Sequence, residues 1–328
     1  MEKDNNTVNR REALIKLLRV AGVSAGAAGL GAWLSRHSFR PAVPLATPAK
    51  RGHTVPLDPA LPDMAIIQGE DPAALARQAV EELGGMRRFV SRGDIVLVKP
   101  NIGWDRTPEQ AANTNPEVVA ELVRQSLNAG AKRVIVTDVS CNEARRCFQR
   151  SGIGEAAQRA GAELVLPDPS RFKDVDLKGE VLREWQVFDP FLKVDKVINV
   201  PIAKHHGLTG TTLGMKNWYG MLGGQRNQLH QKIHESLVDL ADFVRPTLTV
   251  VDCYRVLLRN GPTGGNLEDV LLKKTLVAST DPVAVDAYVA KSIWNLEVES
   301  LPYLQIAAKR GLGSFEFEKV HTQSKTLS

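Results

Sequence analysis

The chain has 328 residues, a formal charge of +5 and three cysteines, too long and too cysteine-poor to be a disulfide-stapled miniprotein. Residues 1–50 carry eight Lys/Arg against three acids, so residues 51–328 balance at 34 of each. A neutral folded part excludes the electrostatic footprint of nucleic-acid binding, and its length suits one large α/β domain.

The start of the chain reads as a targeting leader. Paired Arg10-Arg11 precede a weakly apolar, Ala/Gly-rich run, the twin-arginine export pattern, which makes the translocation machinery an expected partner. Sixteen uncharged residues separate Arg19 from Arg36, short of the ~20 that span a bilayer. No clean Ala-x-Ala cleavage site follows, Ala46–Ala49 being the nearest approach. Cleavage and retention as a tether both stay open. The expected layout is a leader over 1–50, a Pro-rich linker over 51–62 and an exported domain over 63–328. That domain is either single or two intimately joined lobes, about 63–170 and 171–328.

Past the linker, Met64–Gln68 predicts a first short strand, and Asp71-Pro72 opens a helix to about Leu83. Asp94–Lys99 (DIVLVK) is a buried strand ending in Pro100-Asn101 and a loop through Trp104. Asn115-Pro116 caps an amphipathic helix with Val119, Leu122, Val123 and Leu127 on one face. Gly130 stops it. Arg133–Asp138 (RVIVTD) is the next strand, with Ser140-Cys141-Asn142 at its carboxyl end. A helix near Gly154–Ala160 and a strand at Glu163–Leu166 complete a β-α-β-α-β series, which predicts a parallel sheet. From Phe172 to Phe191 the pattern degrades to short polar strands with a hairpin at Lys178-Gly179.

Asp195–Leu222 is the stretch on which the chemistry centres. Val197, Ile198 and Val200 read as a buried strand; Lys204, His205 and His206 follow in a polar loop. A helix is expected from Thr211 or Thr212, with Lys216 and Asn217 one turn in. Beyond it come a helix over Leu229–Phe243, a strand over Thr247–Cys253 ending at Asp252, a glycine loop Gly261–Gly265 and a strand over Lys274–Ser279. Two helices close the chain, Asp281-Pro282 to Trp294 and Leu301–Arg310. The predicted fold is α/β, a mixed, mostly parallel sheet flanked by helices in Rossmann-like layers.

In such a sheet the carboxyl strand ends share one edge, where α/β proteins place ligands. That edge would gather Lys99 and Asn101, Asp138 and Ser140, and Asp252. Lys204 and His206, two apart, share a face in an extended segment; Thr212 and Lys216 would share a helix face. With Asn199, Thr209 and Asn217 from the same stretch they predict a cationic pocket for a carboxylate or phosphate. His206 is the expected acid/base group, because imidazole titrates near neutrality, and Lys204 and Lys216 act beside it. Gly264 and Gly265 could cradle a phosphate through backbone N–H groups, or form a plain turn. Asp286 sits in the second turn of its helix, from which it could reach the site or equally complement the helix dipole. His230 and His234 make an H-x-x-x-H pair able to chelate a divalent transition metal from one helix face, though without the Glu of HExxH.

Several patterns are lacking. No G-x-G-x-x-G follows a strand, which disfavours a dinucleotide, and no G-x-S-x-G elbow is present. Cys141, Cys147 and Cys253 have no cluster-binding spacing, so no iron–sulfur cluster is expected on the chain's own cysteines.

Together these segments resemble the family called domain of unknown function 362. The resemblance is carried by VLVKPN (Val96–Asn101), GAKRVIVTD (Gly130–Asp138), NVPIAKHHGLTGTTLGMKN (Asn199–Asn217) and Leu229-His230. The Asp252 strand, the Gly-Pro-x-Gly-Gly loop and STDPVAVDA (Ser279–Ala287) extend it over roughly residues 60–312. It implies an α/β fold and a shared polar site. Some relatives carry a ferredoxin-like module whose cysteines this chain lacks. The expected function is an exported enzyme for a small anionic ligand, with isomerase, racemase or hydrolase chemistry all open. The alternatives are a ligand-, metal- or cofactor-binding maturation protein serving a membrane-associated partner, and a redox partner.

Overall fold

The computed structural model describes residues 15, 19, 45–48 and 52–328. Strand β1 (Met64–Gln68) leads to helix α1 (Pro72–Glu82), capped by Asp71, whose carboxylate accepts the N–H groups of Ala73 and Ala74. A helical turn, α2 (Met86–Phe89), precedes β2 (Ile95–Pro100), and Asn115 caps α3 (Pro116–Asn128). Then come β3 (Arg133–Val136), α4 (Ala144–Arg150), α5 (Ile153–Arg159) and the two-residue β4 (Glu163–Leu164). Strands β5 (Phe172–Asp176) and β6 (Glu184–Phe188) form a separate antiparallel pair. After them follow β7 (Lys196–Val200), β8 (Ile202–His206), β9 (Gly210–Thr212), α6 (Ile233–Val244) and β10 (Leu248–Leu257). The chain closes with β11 (Val270–Ser279), α7 (Pro282–Trp294), α8 (Pro302–Lys309) and β12 (Thr322–Thr326).

The main sheet runs β12-β1-β11-β10-β7-β2-β3-β4, with β8 beside β10 and β9 beside β8. Strands β10, β7, β2, β3 and β4 are parallel neighbours, while β11 lies antiparallel to both β1 and β10. The fold is therefore α/β, with a mixed, mostly parallel sheet between helical layers. Side-chain alternation along the strands builds the two layers. Val96 and Val98 of β2 share one core with Leu75, Val119 and Leu122, whereas Leu97 faces a second core with Leu237, Val283 and Leu304. Residues Leu45–Ser328 form one compact unit.

One irregularity positions the site. Strand β10 pairs with β7 at Leu248 and Thr249, then with β8 at Asp252 and Leu257. Strands β7 and β8 are thus successive lengths of one path broken at Pro201, which has no N–H to donate. Its carbonyl still accepts the N–H of Asp252. The break carries Lys204 and His206 past the carboxyl edge of the sheet, over the ends of β2 and β3.

The structure corrects several expectations. Lys204, His205 and His206 lie in a strand, not a loop, and Thr211–Thr212 pair with it as a hairpin rather than starting a helix. β-branched threonines fit a strand, and Gly210 takes the positive φ of +72° that the turn demands. Lys216 and Asn217 open a 3-10 helix, Lys216–Met221, so Thr212 and Lys216 share no helix face. Strand β10 runs five residues past Asp252 because Tyr254, Val256 and Leu257 extend its apolar run. Helix α6 starts at Ile233, after a 3-10 segment over Arg226–Lys232; His230 is outside the α-helix that holds His234.

Residues 52–62 hold no helix or strand, yet His53 is buried, its Nδ1 3.0 Å from the Asp195 carbonyl, so the expected linker is partly fastened to the domain. The twin-arginine leader falls almost wholly outside the described residues. Among the described residues no helix is long and apolar enough to cross a membrane.

Candidate functional site

Where β2 and β3 end beneath the β8–β9 hairpin, a cavity of about 650 Å³ opens. Its floor is an ion pair. Lys99 Nζ donates to Asp138 Oδ1 at 2.7 Å, to Asn217 Oδ1 at 3.0 Å and to the Pro100 carbonyl at 2.9 Å, so its three hydrogens all have acceptors. The second oxygen of Asp138 accepts the Ile102 N–H at 2.6 Å. Burial lowers the Lys99 pKa, with Asp138 opposing that shift. Gly220 passes directly over the pair: an added Cβ would sit 1.7 Å from Asp138 Oδ1. Only glycine fits.

From this floor an amide chain rises. Asn217 donates to the Lys99 carbonyl and to Asn199 Oδ1, and its own oxygen accepts from Asn101 Nδ2 at 3.1 Å. Asn101 Oδ1 in turn accepts from Lys204 Nζ at 3.1 Å. The Lys204 amine also donates to the Ala112 carbonyl at 2.6 Å. Both acceptors are neutral. Burial first, then the nearby Lys216, brings the Lys204 pKa down to about 7.

Lys216 is buried as well, its Nζ 4.5 Å above the Tyr219 ring. Burial lowers its pKa to about 8. Arg226 adds another charge; its guanidinium donates to the carbonyls of Val139, Ser140 and Tyr219, none of them anionic. Among the described residues lining the cavity, four lysines and arginines face one carboxylate, Asp138, which Lys99 already engages. The cavity therefore carries a surplus of positive charge.

His206 departs from its expected role. Its Nδ1 accepts the Leu208 N–H at 3.1 Å, which puts the ring proton on Nε2. Burial and the neighbouring lysines push its pKa down to about 3. It is a neutral donor at physiological pH, not a group titrating near 7. Across the hairpin, Thr212 stands directly opposite Lys204, on the same face. Its buried hydroxyl lines the cavity without a hydrogen-bond partner.

Other expected site residues hold the frame from outside the cavity. Asp286 accepts the N–H groups of Gly214 and Met215 and so sets the turn that presents Lys216; burial raises its pKa to about 7. Asn199 donates to the Gly214 carbonyl. Asp252 accepts the N–H groups of Asn115 and Tyr254, with its pKa raised by burial to about 6. The Ser140 hydroxyl donates to the Ile102 carbonyl and that of Thr209 to the Thr211 carbonyl. Gly264 and Gly265 present carbonyls to Arg106 and Gln110, the opposite of a phosphate cradle, and only Pro262 of their loop reaches the cavity.

The expected metal pair separates. His230 lines the cavity, edge-on to Tyr219 at 5.9 Å. His234 stacks on Tyr303 at 6.3 Å, away from the cavity lining. Among the described residues no three His, Cys, Asp or Glu side chains are grouped to hold a metal ion.

The family model described as Domain of unknown function (DUF362) matches residues 96–291, more than half of the chain. The chain belongs to this family. A relative in Synechocystis sp., named a thylakoid-associated protein, is 29% identical over 248 residues, covering 73% of this chain and 75% of its own. Among solved structures, the lactate racemase apoprotein from Thermoanaerobacterium thermosaccharolyticum aligns at a TM-score of 0.41 and 10% identity, over 74% of this chain and 61% of that one. A structural-genomics target from Thermotoga maritima aligns at 0.37 and 12%, over 73% and 58%. The chain thus spans about three-fifths of the length of each solved structure it resembles. The matched family region contains the cavity floor, the hairpin and the 3-10 helix.

Sequence reasoning missed Arg226 and the run around it. Gly223-Gly224-Gln225-Arg226-Asn227-Gln228 falls between the two stretches that carry a reading, Asp195–Leu222 and Leu229–Phe243, and four of its members, Gly224, Gln225, Asn227 and Gln228, line the cavity beside the arginine. Its position directly after the Asp195–Leu222 stretch was the one available signal.

Proposed function

We propose that the chain is an enzyme that binds a small carboxylate- or phosphate-bearing ligand in this cavity and moves a proton on it. The observation that supports this is Lys204: a buried amine on two neutral acceptors, beside unneutralised cations. With a pKa near 7, a large fraction of it is unprotonated at neutral pH and able to act as a base. Lys216 and Arg226 hold the anion. His206, fixed with its proton on Nε2, stabilises negative charge developing on a ligand oxygen as a neutral donor, so that Lys204 takes the proton-transfer role imidazole was expected to fill. Proton abstraction next to a carboxylate, as in isomerisation or racemisation, fits this set.

Calorimetric titration with pyruvate, malate and inorganic phosphate tests the binding, and loss of the substrate's carbon-bound hydrogen in D2O tests the chemistry. Binding should weaken with salt and fall at least tenfold in Lys216→Met, the loss expected for a charged hydrogen bond. Failure of all three anions to bind would sink the proposal. Binding by every variant without exchange would favour a capture or maturation protein. The Arg10-Arg11 leader supports export of the chain across a membrane, and the thylakoid-associated relative supports a place beside one. A leader–reporter fusion that stays in the cytoplasm would overturn that placement.

A further inference from the structure

A primary amine has two hydrogens and one lone pair when neutral. At Lys204 the two hydrogens have fixed acceptors, Asn101 Oδ1 and the Ala112 carbonyl. What remains of the tetrahedral nitrogen is the lone pair, and Lys204 lines the cavity. The partnerless Thr212 hydroxyl is buried on the same face, opposite Lys204. Such a hydroxyl awaits an oxygen or nitrogen from a ligand. Next to them, Lys216 and Arg226 offer positive charge without a carboxylate partner among the described residues that line the cavity. An amine with a free lone pair, an unpartnered hydroxyl on the paired strand and a cationic seat describe a site for a carbonyl group attached to a carboxylate. Desolvated lysines flanked by other cations are the kind that form Schiff bases.

We propose that Lys204 condenses with the carbonyl of a small 2-oxo acid whose carboxylate rests against Lys216 and Arg226, a step that rests on the anion-binding role given to this cavity. The Lys204 nitrogen lone pair forms the N–C bond while the carbonyl π pair moves to oxygen. That oxygen takes one hydrogen from the nitrogen, giving a carbinolamine hydrogen-bonded to Thr212. The C–O bond then breaks as the oxygen accepts a second proton from the Lys216 ammonium, which solvent reprotonates. Water leaves and the nitrogen pair closes the C=N bond, with the last nitrogen hydrogen retained as the iminium. The positive nitrogen acidifies hydrogens on the next carbon, and such a proton passes to solvent; in the adduct Lys204 is thus the electron sink in place of the base.

The test incubates the full chain with pyruvate and sodium cyanoborohydride, which reduces an iminium to a stable amine. Intact mass and peptide mapping follow. A single adduct on Lys204, equal in mass to pyruvic acid less one oxygen, is expected. It should form about tenfold more slowly in Thr212→Val, the loss of one hydrogen bond to the intermediate. Mapping is done on the unaltered chain, so no variant has to fold for the decisive result. Calorimetry with pyruvate alone separates the two layers of the proposal. Pyruvate binding with no adduct, or with label on Lys216 or on exposed lysines instead, overturns the imine and leaves the anion pocket standing. Absence of pyruvate, malate and phosphate binding overturns both.

Discussion

Lys99 and Lys204 sit in one cavity, both buried in the folded chain, and have opposite surroundings. Lys99 makes three hydrogen bonds, one to a carboxylate; Lys204 makes two, neither to an anion. The first has nothing left to offer a ligand. Its work is to tie the ends of β2 and β3 to the 3-10 helix through Asp138 and Asn217. The second, which also lines the cavity, retains a position on its nitrogen without a partner. Burial alone does not mark a functional lysine; incomplete satisfaction does, because an unfilled polar position in a native interior is costly unless something occupies it in use.

The sharpest way to break the contrast is to attack the floor. Asp138→Ala leaves the Lys99 ammonium buried and uncompensated and should cost about 3–5 kcal/mol of stability. Gly220→Ala should do comparable damage, since its Cβ would lie 2.5 Å from Lys99 Nζ as well as on Asp138. Urea unfolding measures both. Losses under ~1 kcal/mol would mean the floor is not the clamp described. Lys204→Met should behave differently. Removing a desolvated amine offsets the two acceptors it strands, each worth ~1–3 kcal/mol, so stability should shift by no more than about 2 kcal/mol while ligand-dependent proton exchange disappears. A variant as unstable as Asp138→Ala would place Lys204 in the frame as well.

The lysine shifts also set a pH signature. A lysine whose folded pKa lies near 7 binds fewer protons than the unfolded chain from there up to its ordinary value. Stability must therefore rise with pH in that window. Lys204 and Lys216, at about 7 and about 8, share the sign. Asp252 and Asp286, raised to about 6 and 7, act in the opposite sense mainly below the window. Cys147, raised to about 11, opposes only above the ordinary thiol range. Between about pH 7 and about pH 8.5 unfolding should require roughly 2 kcal/mol more, at ~1.4 kcal/mol per pH unit per proton. Lys204→Met should flatten that slope. An unchanged slope in the variant would remove Lys204 as its source.

Much of this was legible in the residues, unevenly. DIVLVK and RVIVTD announce strands, and their ends at Lys99 and Asp138 follow from the parallel-sheet rule, so the floor could be assembled from sequence. The family resemblance agreed with the matched model over residues 96–291. The wall could not be read. Thr211 and Thr212 are ambiguous between a helix start and a strand, and only the register opposite Lys204 decides. The tautomer of His206 depends on the Leu208 N–H and its low pKa on burial beside lysines, neither of which residue type reveals. Asp252 and Asp286 looked like site carboxylates because strand ends and early helix turns favour them; the structure uses both on backbone N–H groups instead.

The glycine loop gives the smallest and most discriminating effect. Gly264 holds φ +57°, and an added Cβ would approach Leu257 at 2.9 Å. Gly264→Ala should therefore cost about 1 kcal/mol through backbone strain and local crowding. Were the loop a phosphate cradle, the same change would also weaken anion binding severely, because backbone N–H groups would be displaced. Its carbonyls are instead held by Arg106 and Gln110, and the cation seat at Lys216 and Arg226 is built from other segments. Inorganic phosphate affinity in Gly264→Ala should stay within twofold of the unaltered chain, a difference of about 0.4 kcal/mol. A tenfold loss with the fold intact would move the anion seat from the lysines to the loop, and the comparison between Lys99 and Lys204 would lose its functional meaning.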